Sequence, residues 1–144
     1  MLCIPQTNYA QVDFNKTPND DLGNFEDEFQ NNFYEAMKQH GIENYDRAVD
    51  NLKRCLELDD SHIVIYYQLG KNYNKLKNFG EAEDALKDAL RIEPDNEWVL
   101  DELYHVYIQQ KEYNKAIKTV RQLVKYHPDY KEDLNRSSEI GKKF

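Results

Sequence analysis

Three alanines, Ala48, Ala82 and Ala116, stand 34 residues apart, and the sequence around each of them repeats. The matching strings are ENYDRAVDNLKRCLELDD, KNFGEAEDALKDALRIEP and KEYNKAIKTVRQLVKYHP. Apolar or small side chains recur four, seven and eight residues after each alanine, and an aromatic stands three residues before it. These offsets share one face of a helix with about 3.6 residues per turn. The repeat therefore predicts three amphipathic helices, each with a small residue where a neighbouring helix approaches closely.

Each of these helices is expected to end where the chain supplies a turn signal, at Asp59-Asp60, Pro94 or Pro128. Apolar side chains at helical spacing also predict a partner helix before each one, over residues 24–40, 62–75 and 96–109. Each unit is then a helix–turn–helix that cannot bury both of its faces alone. Stacking three units produces one continuous core, which is why such arrays need about three copies.

The pattern resembles the tetratricopeptide repeat family, whose signature reads W-x2-L-G-x2-Y, then Ala, a large apolar residue, Ala and Pro. The middle copy matches best, through Tyr66, Leu69, Gly70, Tyr73, Ala82, Leu86, Ala89 and Pro94. The third copy departs from it with Tyr104 in the glycine position, and the first copy departs with Asn32, Glu35 and Asp60. The resemblance covers roughly residues 29–128. It implies an all-α fold, an α-α superhelix (solenoid) of three helix–turn–helix repeats with a short C-terminal capping helix.

We divide the chain into three parts on this basis. Residues 1–23 are expected to form a flexible acidic leader, residues 24–128 the three repeats (24–61, 62–95 and 96–128), and residues 129–144 the capping helix and tail. Leu134 and Ile140 are expected to face inward from the cap. The cap is short and has few apolar residues. It either covers the last repeat adequately or leaves apolar surface exposed. In the second case the end of the array would dimerise or continue into further sequence.

The charge of the chain bears on the classes of partner. The net charge is −8, and residues 1–61 hold 13 acidic against 5 basic side chains, whereas residues 62–144 hold 14 of each. No basic stripe is present, so we expect no nucleic-acid binding. No stretch approaches the ~20 apolar residues of a membrane span, so we expect no membrane insertion. The chain as it stands predicts a cytoplasmic protein; the alternative is an exported or periplasmic one, if residues 1–10 are the remnant of a signal peptide.

The sequence holds no constellation of residues that predicts catalysis. The four histidines, His40, His62, His105 and His127, occupy different places in the repeat frame, and no His-x3-His or Cys-x2-Cys pair suits zinc. The five glycines form no phosphate-cradling loop. We therefore predict that the protein is not an enzyme and has no catalytic residues, no cofactor and no metal site.

In the family that the chain resembles, the first helices of successive repeats line a concave groove that holds a peptide or a partner's helix. The matching positions here are Phe33, Met37, His40, Val64, Tyr67, Gln68, Lys71, Asn74, Lys75, Trp98, Asp101, Glu102, His105, Ile108 and Gln109. Trp98, the only tryptophan, is either an apolar anchor for a partner or ordinary packing near a helix start. Lys71 and Lys75 are either contacts for a partner or plain surface charges, solvated or paired with Asp101.

The resemblance implies a non-catalytic scaffold or adaptor that binds a protein or peptide. One subgroup of the family grips the carboxylate-ending tails of heat-shock chaperones with lysine, asparagine and arginine. Those positions here hold Phe33, Met37, Gln68, Trp98 and Glu102, so we expect chaperone tails not to be the partner. The alternatives are a self-associating repeat protein, with a homodimer through its terminal helices, and a fragment of a longer repeat protein. A further hypothesis is that the leader covers the groove as a competitor.

Overall fold

A computed structural model describes the backbone of residues 20–132 and the side chains of residues 25–132. Six helices follow one another in this part: α1 (Asp20–Gly41), α2 (Tyr45–Leu58), α3 (Ile63–Lys75), α4 (Phe79–Ile92), α5 (Glu97–Gln109) and α6 (Tyr113–Tyr126). Helices α1 and α2, α3 and α4, and α5 and α6 pack as pairs, while α2 contacts α3 and α4 contacts α5. The fold is an all-α solenoid of three helix–turn–helix repeats, as the periodicity predicts.

The turns inside the three repeats share one backbone geometry. Glu43, Lys77 and Lys111 each have a φ of 61°, in the left-handed region. In the middle repeat, the Asn78 N–H donates to the carbonyl of Tyr73 over 2.9 Å, and the other two turns make the equivalent bond. A bond that reaches back five residues past a left-handed residue is the Schellman ending of a helix. All three hairpins are therefore closed in the same way by main-chain hydrogen bonds.

The alanines that define the repeat lie in its core. Ala48, Ala82 and Ala116 are completely buried, as are Leu52 and Leu86, each four residues after an alanine. Small buried side chains allow neighbouring helices to approach closely, which is the role that the sequence spacing assigns to them.

One position of the repeat frame shows how each repeat adjusts its packing. It holds Ala36 in the first repeat, Gly70 in the second and Tyr104 in the third, and all three residues are buried. Tyr104 packs in the same apolar cluster as Val120, which is smaller than Leu86 at the corresponding place in the second repeat. The departure from the family signature at Tyr104 is therefore matched by a smaller neighbouring residue.

The first helix begins earlier than we predicted. It starts at Asp20 rather than near residue 24, so Gly23 lies inside it. A glycine costs a helix interior only about 1 kcal/mol, which a helix of 22 residues tolerates. The rest of the predicted leader, residues 1–19, lies outside the described residues. Its only charges are Asp13 and Lys16, so the acidity that we placed in the leader belongs to the chain from Asp20 onward.

The other helix boundaries differ little from the predicted ones. Helices α3 and α5 start one residue later than expected because His62 and Asn96 are their N-caps. After α6, Pro128–Tyr130 forms a 3₁₀ turn, and residues 131 and 132 are again helical. The remainder of the predicted capping helix, including Leu134 and Ile140, lies outside the described residues.

Candidate partner-binding groove

Helices α3 and α5, the first helices of the second and third repeats, contact one another and carry two clefts. The apolar cleft has a volume of about 320 Å³ and is lined by Ile63, Val64, Tyr67, Gln68, Asn96, Trp98 and Val99. The polar cleft has a volume of about 540 Å³ and is lined by His40, Lys71, Asn74, Lys75, Lys77, Asp101, Glu102, His105 and Gln109. We call the two clefts together the groove.

The apolar cleft presents a large exposed aromatic side chain. Trp98 is 63% exposed, and Val64, across the cleft on α3, is 39% exposed. The position of Trp98 follows from the start of α5, where the Asn96 side chain accepts a 3.2 Å hydrogen bond from the Val99 N–H. Such a cap fixes the first turn of a helix. Trp98 is thus held by the backbone on the surface and is not buried as core packing.

Tyr67 connects the two clefts. Its ring is half-buried, and the Lys71 ammonium lies 5.4 Å from the centre of that ring, within the range of a cation–π contact. Burial raises the pKa of Tyr67, and the negative charges of Glu102 and Asp101 raise it further. Tyr67 therefore stays protonated, with carboxylates close enough to influence it.

The polar cleft contains a hydrogen bond between the two helices. The Asn74 Nδ2 group donates to Oε1 of Glu102 over 2.8 Å. Asn74 is only 9% exposed, and its Oδ1 atom has no hydrogen-bond partner among residues 25–132. A buried polar atom without a partner is uncommon in a folded protein.

The other carboxylate of the polar cleft belongs to Asp101, which lies near His105. The Nδ1 atom of His105 lies 2.8 Å from the main-chain carbonyl oxygen of Asp101, one turn earlier on α5, and 3.7 Å from its Oδ2 atom. The His105 ring also meets the Tyr104 ring edge-on. These contacts hold the His105 ring against its own helix, where it lines the polar cleft.

The structure brings most of the predicted groove residues together. Four of them line the apolar cleft: Val64, Tyr67, Gln68 and Trp98. The polar cleft collects eight of the others: His40, Lys71, Asn74, Lys75, Asp101, Glu102, His105 and Gln109. Phe33, Met37 and Ile108 line neither cleft. They are half-buried against the two apolar clusters of the core, so their predicted role in binding stays a prediction.

Some groove residues escaped the sequence argument. Lys77 lines the polar cleft from the turn after α3, and Asn96 lines the apolar cleft as a helix cap. Lys77 lies outside the predicted helices, whereas Asn96 is the first residue of a predicted helix and is its N-cap in the structure. Lys71 lies over the Tyr67 ring, and the pairing of Lys71 or Lys75 with Asp101 stays a prediction.

Two kinds of feature are absent from the part of the chain that the structure describes. Between residues 20 and 132 there is no helix with the length and apolar content of a membrane span. In the same part of the chain, no three His, Cys, Asp or Glu side chains are grouped so as to hold a metal ion.

Comparison with known proteins identifies the family. A family model described as tetratricopeptide repeat matches residues 43–98 and 75–135, and no curated protein matches the chain by sequence. Among solved structures, the first TPR of Spaghetti (RPAP3) bound to the HSP90 peptide SRMEEVD is similar, with a TM-score of 0.72 at 16% identity over 79% of this chain and 93% of that one. The TPR2B domain of yeast Sti1 in its pHsp70 complex has a TM-score of 0.71 at 15% identity, over 78% of this chain and 97% of that one. MamA has a TM-score of 0.67 at 19% identity over 81% of both chains. Since the family model covers more than half of its residues, the chain belongs to the tetratricopeptide repeat family.

Proposed function

We propose that this protein is a non-catalytic interaction module that binds a peptide or a partner helix in the groove between α3 and α5. The observation that carries the proposal is the apolar cleft, in which Trp98 exposes 63% of its surface beside Tyr67. Large aromatic side chains dominate the binding energy of protein interfaces when a partner buries them. Membership of a family of protein-binding repeats, and solved neighbours with bound peptides, support the same function.

Affinity capture with the full chain tests the proposal. Wild-type protein, immobilised and exposed to a lysate of the source organism, should retain a partner that the double variant Tyr67→Ala, Trp98→Ala loses. The matched control is Tyr34→Ala with Tyr126→Ala, which removes two exposed aromatic residues outside the groove. Circular dichroism of all three proteins checks that they remain helical. Equal retention by the groove variant and the control would contradict the proposal.

We also propose that the groove does not recognise the terminal carboxylate of a chaperone tail. The five clamp positions carry no cationic side chain: they hold Phe33, Met37, Gln68, Trp98 and Glu102. The solved neighbours with HSP90 and HSP70 peptides weigh against excluding chaperones altogether. Because the clamp residues are missing, we expect weak binding of the peptide SRMEEVD. Its affinity should be the same, within about twofold, whether its terminus is a free carboxylate or an amide. A clear preference for the free carboxylate would show that a clamp exists.

Self-association is the second candidate function, and the surface of α1 favours it. Phe25 is 57% exposed and Tyr34 is 71% exposed on this terminal helix of the described solenoid. Exposed apolar side chains on a terminal repeat are a common basis for dimers. Sedimentation velocity over a range of concentrations measures this directly, and Phe25→Ser with Tyr34→Ser should abolish any dimer. A single monomeric species at all concentrations would remove this candidate.

A further inference from the structure

Two neighbouring clefts give the first repeat an acidic surface. Each has a volume of about 500 Å³, and both lie along the N-terminal half of α1 and the end of α2, where they share Leu58. One arginine, Arg54, and no lysine lines them, against five carboxylates: Glu26, Asp27, Glu28, Glu57 and Asp59. Among residues 25–132, only Asp59 of these five has an ion-pair partner, which is His62. We call the two clefts together the acidic face, and most of its charge is unpaired.

The acidic face also presents apolar surface. Phe25 is exposed, and it lines one of the two clefts together with Phe29 and Leu58. Tyr34, also exposed, stands seven residues after Asp27 and therefore lies on the same side of α1. Aromatic side chains surrounded by polar and charged ones are typical of a protein–protein interface. The acidic face is therefore suited to a partner that supplies both cations and an apolar side chain.

Helix α6, at the other end of the described array, has the opposite charge. It contains no acidic residue, and it exposes four cations, which we call the basic face: Lys115, Lys118, Arg121 and Lys125. Among residues 25–132, Lys118 and Arg121 have no ion-pair partner. Lys115 lies 3.6 Å from Glu83, and Lys125 lies over the ring of Tyr126. We missed this face in the sequence because acidic residues elsewhere in 62–144 balance its charge.

We infer that the basic face of one molecule binds the acidic face of a second copy of the same chain. Five carboxylates and one arginine leave a net charge of −4 on the acidic face, and the four cations give the basic face +4. Tyr126, which is 46% exposed beside Lys125, supplies an aromatic side chain for the cleft that Phe25 lines. This inference names the partner of the α1 surface, so it rests on the second candidate function and is independent of the groove.

The places of the two faces determine the kind of assembly. Helix α1 packs on α2, and α6 packs on α5, with the middle repeat between the two pairs. The faces therefore lie at opposite ends of the array, and a contact between them joins two molecules head to tail. Such a contact is heterologous, so each molecule keeps one free face to which a further copy can bind. A symmetrical contact is disfavoured, because it would place two acidic or two basic faces against each other.

The charge of the whole chain favours a second copy over a nucleic acid on the basic face. The chain has a net charge of −8, and its acidic face repels a polyanion. A second copy is attracted by the same charges, since its carboxylates are grouped in the first repeat. Its cleft beside Phe25 also accommodates the Tyr126 ring, for which a phosphate backbone offers no apolar contact.

Sedimentation velocity of the full chain over a range of concentrations tests this contact. The wild type should associate at about 0.05 M salt, and the association should weaken about tenfold at about 0.5 M salt, where charges are screened more strongly. Two variants remove one face each: Asp27→Lys with Glu28→Lys, the α1 variant, and Lys118→Glu with Arg121→Glu, the α6 variant. Each variant alone should stay monomeric. Their equimolar mixture should form a 1:1 complex and nothing larger, because one intact face of each kind remains.

Matched controls reverse the same number of charges on the middle repeat. Glu81→Lys with Asp84→Lys corresponds to the α1 variant, and Lys75→Glu with Lys77→Glu corresponds to the α6 variant. All four side chains are exposed and lie outside both faces. These controls change the net charge as much as the test variants do, and their association should stay within about threefold of the wild type. Circular dichroism checks that every variant remains helical.

The outcomes separate this inference from the proposed functions. Association of the α6 variant alone, or no complex in the mixture, would overturn the head-to-tail contact and leave self-association through another surface. Association that is lost in Tyr67→Ala, Trp98→Ala would overturn it by placing the contact in the groove. A wild type that stays monomeric at all concentrations would overturn the inference together with the second candidate function, and it would leave the groove proposal unaffected.

Discussion

Gly70 of α3 lies so close to Leu86 of α4 that a Cβ atom on the glycine would be 2.5 Å from Cγ and Cδ2 of the leucine. Real Cβ atoms do not approach carbon atoms this closely, so any larger residue at Gly70 must displace the fully buried Leu86. The glycine of the family signature therefore has a packing reason in this chain rather than a conformational one.

Substitution of this glycine should destabilise the protein. We expect Gly70→Ala to lower the free energy of unfolding by about 1–3 kcal/mol, the usual cost of overpacking a core. Urea denaturation followed by circular dichroism measures the change. Gly80→Ala is the matched control, because a Cβ at Gly80 meets nothing within 4 Å and should be neutral or slightly stabilising. Restored stability in the double variant Gly70→Ala, Leu86→Val would confirm the cause, and a neutral Gly70→Ala would contradict it.

The left-handed turn residues offer a stabilising change. Lys111 has a φ of 61°, a conformation that costs a residue with a Cβ atom about 1–2 kcal/mol and glycine very little. We expect Lys111→Gly to raise the free energy of unfolding by about 1 kcal/mol, measured by thermal and urea unfolding. Lys118→Gly, the same substitution inside α6, should lower it by a similar amount. A destabilised Lys111→Gly protein would argue against the Schellman geometry.

Glu83 joins three helices and should contribute to stability at neutral pH. Its carboxylate accepts a 3.0 Å hydrogen bond from the Tyr107 hydroxyl and lies 2.6 Å from Lys87 Nζ and 3.6 Å from Lys115 Nζ. Burial raises the pKa of Glu83, but the bonds from Lys87 and Tyr107 and the lysine charges outweigh burial and lower it below 4.5. We expect Glu83→Gln to cost about 1 kcal/mol at pH 7, because it weakens these charged bonds.

The pH dependence of that loss gives a second measurement. Since the pKa is lower in the folded state, the ionised carboxylate stabilises the protein above the unfolded value near 4.5. This contribution disappears as the pH falls through the folded pKa. The stability difference between wild type and Glu83→Gln should therefore shrink below about pH 4.5. Asp84→Asn, an exposed neighbour on α4, should show a smaller difference at pH 7. A difference independent of pH would show that the carboxylate charge is not responsible.

Trp98 should report occupation of the groove by its fluorescence. It is the only tryptophan of the chain and is largely exposed, so its emission in the free protein should resemble that of a tryptophan in water. Burial by a partner should shift the emission to shorter wavelength and protect the ring from iodide. The change should saturate with the bound fraction and be reduced in Tyr67→Ala. Binding without any change in emission would place the partner on another surface.

The 34-residue period predicts the fold because, in a solenoid, the place of a residue within its repeat determines whether the residue is buried. Ala82 and Leu86 could be assigned to the core from spacing alone, and α3 and α5 start within one residue of their predicted positions. The start of α1 was predicted four residues too late: the helix includes Gly23, since a single glycine is a weak helix breaker in a long helix.

The candidate site could be predicted from the sequence only in part. Phe33 and Met37 occupy groove positions of the frame, yet they pack half-buried on the core. Whether such a side chain faces the groove or a neighbouring helix depends on how successive repeats rotate against each other, which the period does not encode. The unpaired Oδ1 atom of Asn74 depends on a hydrogen bond between two repeats, and no spacing within one helix predicts that bond.

The turns at Glu43, Lys77 and Lys111 have the same geometry, so a change of side chain at a turn can alter what the protein binds without altering its fold. Because main-chain hydrogen bonds close these turns, the side chains there are free to vary in charge without altering how the helices are joined. Lys77 is one such position, and it also lines the polar cleft. A single mutation at this rim could therefore change ligand preference in a descendant protein while the solenoid beneath it keeps its shape.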